Sequence, residues 1–255
     1  MILRRLGNKQ MIANEIVKHF PQHSIYIDLF FGAGGIYFNK PKAKYNFLND
    51  LDSDVFNLFN VFKEQRDELL EMIEYMPIHE DLFKHWKQNK ETEPLKKAVR
   101  FLMLSNFAYL GAEGTMATDI RQSKRTLVEN ILKMDLGIDV KFMNCDFREV
   151  LNKIPYDKDG RDNESKSFIY ADPPYLNTSD NYSHSFTETD TTDLFQMLVD
   201  SKIKFAISEF DNEFVLSLTE KHNLKLTYIG ERRNLKNRRT EILITNYDVP
   251  QTSLF

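Results

Sequence analysis

A single cysteine, Cys145, stands in the 255-residue chain, and that scarcity excludes an intrachain disulfide framework and any zinc centre built on several thiolates. Long apolar stretches are missing as well. The longest, such as Ile25 to Phe31 and Phe168 to Ala171, fall far short of the roughly 20 consecutive apolar residues of a membrane-spanning helix. Behind the basic start, Met1 to Lys9, no apolar segment of roughly 7–15 residues follows, so the expectation is a cytoplasmic protein without a secretory signal and without a membrane partner. Positive charge is not in excess either. With 34 Lys and Arg against 38 Asp and Glu the net charge is −4 and the pI about 5.9, whereas domains that hold nucleic acid by uniform positive charge usually sit above about pI 9. Any such contact has to come from local basic patches. No fixed-period repeat and no low-complexity tract occurs, which sets aside solenoids and linkers. His79, His85, His184 and His222 lack ligand spacing, so no metal is expected.

What is present is globular: 42% of the residues are hydrophobic and 28% charged, enough for one large or two modest domains. Short runs rich in β-branched and aromatic residues predict strands at Ile25 to Phe30, Tyr45 to Leu48, Val140 to Met143, Phe168 to Ala171, Ile203 to Ile207, Leu224 to Ile229 and Glu241 to Thr245. Helical patterns lie between them at Lys9 to Phe20, after Gly34, and at Asp146 to Asn152, Asp190 to Lys202 and Asn212 to His222. This alternation predicts an α/β fold with a mainly parallel sheet covered on both faces. The last two strands, joined through Gly230 to Thr240 without a helical period, predict an antiparallel pair at the sheet edge. From about Asp54 to Asp135 the apolar residues recur at helical spacing only, as in Leu58, Val61 and Phe62 or Leu95, Val99, Leu102 and Met103, which predicts a helical subdomain inserted between the second and third strands.

Two clusters suggest chemistry. The first predicted strand runs from Asp28 and Phe30 straight into Gly32-Ala33-Gly34-Gly35. Glycines there permit a tight turn and let a ligand approach the backbone. The pattern is neither the dinucleotide fingerprint nor a P-loop, because Tyr37 falls at the third glycine position and no Gly-Lys-Ser/Thr follows. Asp50, at the end of the next strand, is placed to accept the hydroxyls of a ribose. The plain alternatives are a structural turn for the glycines and a helix N-cap for Asp50.

The second cluster is Asp172-Pro173-Pro174-Tyr175, directly after the buried run Phe168 to Ala171. Consecutive prolines lock two φ angles and remove two donors. The turn therefore offers a carboxylate, a rigid carbonyl at Pro173 and an aromatic face at Tyr175, a set suited to a planar amine: two oxygens accept both amino hydrogens while the ring stacks. An isolated Asp-Pro-Pro is otherwise an ordinary surface turn.

Taken together, these residues resemble the Dam-type adenine-specific (N6) DNA methyltransferases, which use S-adenosyl-L-methionine as methyl donor. Arg5-Leu6-Gly7-Asn8-Lys9 looks like the family's N-terminal cofactor motif; Lys9 matches it, whereas Arg5 and Asn8 depart from its usual aromatic and second glycine. The stretch Asp28 to Gly34, including Phe30 and Gly32, resembles the methionine-binding turn, and Asp50 the ribose-binding acid. Cys145-Asp146-Phe147 resembles the segment bordering the cofactor adenine. Asp172 to Tyr175 matches the catalytic motif, including the later Tyr182 and Phe186-Thr187, and Thr240 to Tyr247 is typical of the end of such chains. The resemblance spans nearly everything except the helical insertion. It implies a Rossmann-like S-adenosylmethionine-dependent methyltransferase fold, with a catalytic domain over 1–53 and 136–255 and a helical DNA target-recognition insertion over 54–135. Asp172 would serve both the cofactor site and catalysis.

The implied reaction is direct transfer to the amino group of an adenine flipped out of duplex DNA, at an unpairing cost of a few kcal/mol. The sulfonium methyl is already activated, so neither metal nor covalent protein intermediate is needed. Cys145 is then a small buried residue and not a nucleophile. For double-stranded DNA, the cluster Arg232, Arg233, Lys236, Arg238 and Arg239 is the expected phosphate contact, with a solvated hairpin as its alternative. Arg121, Lys124 and Arg125 in the insertion are the expected base-reading or backbone contacts. No Asn-Gly-Leu-x-Arg pattern of GATC-reading relatives occurs, so recognition of that sequence does not follow. A cognate restriction endonuclease would be a partner if the protein serves restriction-modification. Rival readings are a methyltransferase for RNA or a protein amide, which usually carries Asn in place of Asp172, and a non-catalytic DNA-binding relative.

Overall fold

The computed structural model describes residues 2–4, 8–108, 116, 120–155, 165–176, 186–233 and 238–249, with backbone alone at 120–123, 232, 233 and 238. Every predicted strand is present: β1 (Ile25–Asp28), β2 (Tyr45–Asn49), β3 (Val140–Met143), β4 (Ser167–Ala171), β5 (Lys204–Phe210), β6 (Lys225–Arg233) and β7 (Arg238–Thr245). The helices are α1 (Ala13–Val17), α2 (Ser53–Glu64), α3 (Arg66–Tyr75), α4 (Glu80–Gln88), α5 (Pro94–Phe107), α6 (Ile120–Lys133), α7 (Phe147–Val150), α8 (Glu188–Asp200) and α9 (Glu213–Lys221).

All seven strands form one sheet in the order β3-β2-β1-β4-β5-β7-β6. The first five in that order run parallel, and β7 lies antiparallel to both β5 and β6. The mainly parallel sheet with an antiparallel edge is thus as the sequence implied. Every residue of β1 and β4 is buried, the condition of central strands covered on both faces, and this is why they read as continuous apolar runs and not as alternation. Thr187 starts α8 with a capping box: its hydroxyl accepts the Asp190 N–H at 3.2 Å while the Asp190 carboxylate accepts the Thr187 N–H at 2.9 Å. The helix then buries Thr191, Leu194, Phe195 and Leu198, spaced by one helical turn. Of these, Leu194, Phe195 and Leu198 join Ile27, Ile169, Phe205, Ile207, Val215, Leu218 and Ile244 in the core, each large side chain contributing about 1.5–3 kcal/mol of burial.

The chain divides into two compact units. The sheet unit holds Gln10–Phe31, Asn39–Leu51 and Ile138–Phe255, and the helical unit holds Met1–Lys9, Gly32–Phe38 and Asp52–Gly137. The range 54–135 falls within the segment Asp52–Gly137 of the helical unit, and the unit also takes in two segments that the sequence reading placed elsewhere. The cause is visible in their contacts. Ile2 and Leu3 are wholly buried, and on α5 Asn106 donates to the Ile2 carbonyl at 2.8 Å while Ser105 accepts the Arg4 N–H at 2.9 Å. Tyr37 donates its hydroxyl to the Leu136 carbonyl, and Phe38 stacks on Phe59 of α2. Within this unit α2 buries Val55, Leu58, Phe59, Val61 and Phe62, and α5 starts at Pro94 behind a Glu93 cap that accepts two N–H groups.

Two predicted helices are shorter than expected. Lys9 to Phe20 contains only α1, and the stretch after Gly34 makes a single 3-10 turn at Tyr37–Asn39. Gly34 sits at φ +74°, outside helical space, and Pro41 closes the segment soon after, so a longer helix has no room. Among the described residues no helix is long and apolar enough to cross a membrane.

Candidate active site

In the sheet unit the chain order reverses between β1 and β4: strands added after β1 extend one way, and those after β4 the other. Side chains and loops diverge at the carboxyl ends of two such strands, which leaves a crevice. β1 ends there in Asp28, in register with Tyr170 of β4, and β4 ends one residue before Asp172. The Leu29 N–H donates to the Tyr170 carbonyl at 3.0 Å, so the two strand ends are held side by side.

Asp28 is buried and accepts the Tyr26 hydroxyl at 2.9 Å and the Phe30 N–H at 3.3 Å. Burial pushes its pKa up to about 7; the Tyr26 hydrogen bond opposes the rise, and the charges of Asp172 and Asp50 add to it. On the other side of Tyr26, the Lys40 ammonium lies 4.0 Å from the ring centroid and donates to the Pro41 carbonyl at 2.8 Å. Burial draws that ammonium down to about 7, Lys42 adds to the fall, and Asp28 opposes it. The pair therefore acts oppositely on stability. Asp28, whose folded pKa is raised, lends stability below about pH 4 that is lost as pH rises to about 7; Lys40, whose folded pKa is depressed, lends stability above about pH 10 that is lost as pH falls to about 7. Asp28→Asn is expected to flatten the acid side of the melting-temperature profile and to gain about 1–3 kcal/mol over wild type at pH 8. Parallel profiles for the two proteins between pH 4 and 8 would count against this assignment.

The other strand ends carry the predicted cofactor contacts. Asp50 follows β2 half-exposed, its N–H bonded to the Met143 carbonyl at 3.1 Å. It does not cap α2: that role belongs to Asp52, which accepts the Asp54 N–H at 2.9 Å. Asp146 follows β3 and caps α7 by accepting the Arg148 N–H at 2.9 Å. The Arg148 guanidinium bonds Asp146 at 3.2 Å, Asp190 at 2.6 Å and Asp193 at 2.7 Å, tying the end of β3 to α8. The Arg148 guanidinium lies 4.3 Å from the Phe147 ring centroid, and the rings of Phe30, Phe147 and Phe186 meet mutually at 5.5, 5.7 and 5.8 Å. An acid beside three aromatic rings suits a flat heterocycle bearing donors. Cys145 is buried, and burial pushes its thiol pKa up, as befits an inert residue.

Asp172 is half-exposed, Pro173 buried and Pro174 half-exposed. Tyr175 is buried, donates its hydroxyl to Glu241, and meets the Phe210 ring edge-on at 4.5 Å and 78°. Burial raises the phenol well above its ordinary value, with the charges of Asp172 and Glu241 adding, so Tyr175 is a neutral donor.

Two side chains to which the sequence reading gave no role of their own organise this region. Asn49, buried at the end of β2, donates to the carbonyls of Leu29 and Cys145, each at 3.0 Å, and accepts the Cys145 N–H at 3.2 Å. It thereby joins the ends of β1, β2 and β3, next to Asp28, Asp50 and Asp146 respectively. Glu241 lies in β7 opposite Phe210 of β5. Its signal in the sequence is an acid at the head of the apolar run Ile242 to Ile244.

In the helical unit Gly32 and Gly34 have φ of +54° and +74°, which favours glycine, and a Cβ added at Gly32 would meet nothing within 4 Å, leaving the backbone approachable. Lys9 is buried in the same unit. Arg5, Gly7 and Lys236, and the side chains of Arg121, Arg232, Arg233 and Arg238, lie outside the described residues. Lys124 donates to the carbonyls of Glu74 and Met76 at 2.6 and 2.9 Å, so its charge terminates α3. Arg125 is exposed and pairs with Glu129 at 3.0 Å. The Arg239 guanidinium lies 5.4 Å from the Phe210 ring centroid. Among the described residues, no group of three or more His, Cys, Asp or Glu could hold a metal ion.

The modification methylase StsI of Streptococcus sanguinis is 24% identical over 99% of this chain and 43% of its own length. The DNA adenine methylase of Serratia marcescens is 25% identical over 83% of each chain, and that of Escherichia coli (strain K12) is 28% identical over 43% of this chain and 41% of its own. The chain thus spans less than half the length of two of these relatives. Residues 6–235 match the family described as D12 class N6 adenine-specific DNA methyltransferase, and with Asp172-Pro173-Pro174-Tyr175 at the sheet's reversal point, the chain belongs to that family.

Proposed function

We propose that the protein transfers a methyl group from S-adenosyl-L-methionine to the exocyclic amino group of an adenine flipped out of double-stranded DNA. The observation that carries this reading is the position of Asp172 to Tyr175 immediately after β4, beside the buried Asp28 at the end of β1. The residues suit the cofactor: an approachable glycine turn, a half-exposed acid at Asp50 and an aromatic corner beside Asp146. When bound, that cofactor supplies an already activated methyl group. The chain's own part is then positioning. Asp172 and the Pro173 carbonyl accept the two amino hydrogens, and the carboxylate's charge favours the amine as it becomes cationic. Tyr175 stacks on the base and Phe210 supports it. Removing the proton afterwards needs no metal, because the cationic methylated aminium is a far stronger acid than a carboxylic acid and gives its proton to the Asp172 carboxylate, which passes it to water.

DNA binding falls in this reading to the basic residues around β6 and β7, of which Arg239 is described, and to the helical unit, which reads the sequence. Arg125 is the better base-reading candidate there, since Lys124 is engaged within the protein. Protection of DNA from a cognate restriction endonuclease is the setting we assign, in line with the name of the streptococcal relative.

The test is incubation of the purified chain with unmethylated duplex DNA and methyl-labelled S-adenosylmethionine, followed by nucleoside analysis and mapping of modified positions. N6-methyladenine within one short sequence context is the expected result. Label in RNA or protein, or cofactor binding with no transfer to any of them, would overturn the reading.

A further inference from the structure

Burying a carboxylate costs several kcal/mol unless its environment compensates, and a buried tyrosine needs only an acceptor for its hydroxyl, which a neutral group provides more cheaply. β5 and β7 nevertheless bury two acids, Glu209 at 2% and Glu241 at 1% exposure. The Tyr175 hydroxyl donates to Glu241. The antiparallel register places Glu241 directly opposite Phe210, so the acid that holds the hydroxyl and the ring that meets Tyr175 edge-on are cross-strand partners on one face. A tyrosine ring anchored only by packing turns through a broad, two-fold χ2 well. Its hydroxyl oxygen lies on the χ2 axis, so a partner there fixes where the ring's far end stands, while an edge-on neighbour such as Phe210 limits rotation about that axis.

We propose that Glu241 is a positioning residue for methyl transfer: by holding the Tyr175 hydroxyl across from Phe210, it fixes where the Tyr175 ring stands to receive the target base. The inference rests on the functional reading above. A ring set wrongly by a fraction of its width misplaces the amino group relative to the methyl donor, and displacements of about 1 Å can cost about 10²-fold in rate. Glu241 touches neither base nor donor in this arrangement. Its influence passes through the phenol alone.

The experiment compares wild type with Glu241→Ala, Glu241→Gln, Tyr175→Phe and the double variant Glu241→Ala/Tyr175→Phe, on a duplex with 2-aminopurine at the target position and on the natural duplex. Glu241→Ala is expected to lower kcat by about 10- to 100-fold, to leave cofactor affinity within about twofold, and to change the fluorescence of the flipped 2-aminopurine, which reports stacking. Glu241→Gln, whose amide oxygen still accepts the hydroxyl, is expected to recover most of the rate. Tyr175→Phe should resemble Glu241→Ala, and the double variant should be no worse than the poorer single one, because both remove the same contact. Multiplying effects in the double variant, a Glu241→Gln as impaired as Glu241→Ala, or wild-type kcat in a folded Glu241→Ala would each overturn the proposal. If Glu241→Ala fails to fold, Tyr175→Phe and Glu241→Gln still decide it: unchanged aminopurine fluorescence and kcat in Tyr175→Phe, or an impaired Glu241→Gln, refutes the role. A wild-type protein that labels no adenine overturns the functional reading itself, and this inference with it.

Discussion

Asp172→Ala is expected to reduce the single-turnover rate of adenine methylation by about 10³-fold while S-adenosylmethionine still binds. Losing one preorganised group aimed at developing charge typically costs about 10²–10³ in rate, and Asp172 is asked both to accept an amino hydrogen and to face the growing positive charge. Its position is tightly set. β4 is buried along its whole length up to Ala171, the Leu29 N–H anchors the adjoining strand end, and Pro173 and Pro174 allow little backbone adjustment that could bring a substitute oxygen into place. The cofactor contacts assigned to Asp50, Asp146 and the glycine turn stand on other strands and turns, so calorimetric binding of S-adenosylmethionine should weaken by no more than about tenfold, the equivalent of one hydrogen bond to a charged group. Rapid quench on a duplex carrying one target site is the measurement. Turnover within tenfold of wild type would remove Asp172 from the reaction.

Asn49→Ala should lower stability by about 3–5 kcal/mol, because it leaves the Leu29 and Cys145 carbonyls and the Cys145 N–H without the amide that joins them, each stranded buried group costing about 1–3 kcal/mol. A domain of this size loses about 2–4 °C in melting temperature per kcal/mol, so a fall on the order of 10 °C is expected. The same three strand ends carry Asp28, Asp50 and Asp146. S-adenosylmethionine affinity should therefore fall more than the variant's unfolded fraction explains, by about tenfold at a temperature where the variant is fully folded. Asn49→Asp tests the cause separately: the carboxylate keeps the shape and the acceptor but turns a donor into an acceptor facing two carbonyls, so it should be at least as destabilised as Asn49→Ala. A melting temperature unchanged in either variant would show that the clamp contributes nothing.

The strands were legible because central parallel strands are buried on both faces and so become apolar runs of β-branched and aromatic residues, as in Ile25–Asp28 and Ser167–Ala171. The turn after β4 was legible for a similar local reason: two prolines, an acid and an aromatic restrict the chain and set its chemistry within four residues. Helix extents were not, since the left-handed glycines after β1 cut short a pattern that otherwise reads as helical. The membership of Ile2, Leu3, Tyr37 and Phe38 in the helical unit was equally hidden. Their partners, Asn106, Leu136 and Phe59, lie 21 to 104 positions away, and no local period encodes such a pairing.

By itself the sequence determined the α/β class, the antiparallel edge and the two turns to which the proposed chemistry is assigned, since each depends on interactions among near neighbours. Only the tertiary structure decided that Asp28 is buried beside Tyr26 with a raised pKa, that Lys124 terminates a helix, and that Arg148 gathers three carboxylates. It alone placed Asn49 among three strand ends and Glu241 against Tyr175. A side chain's burial and its partners are fixed by which strands lie side by side and in what register, and a register that pairs Phe210 with Glu241 depends on the whole sheet, not on the residues that flank either one.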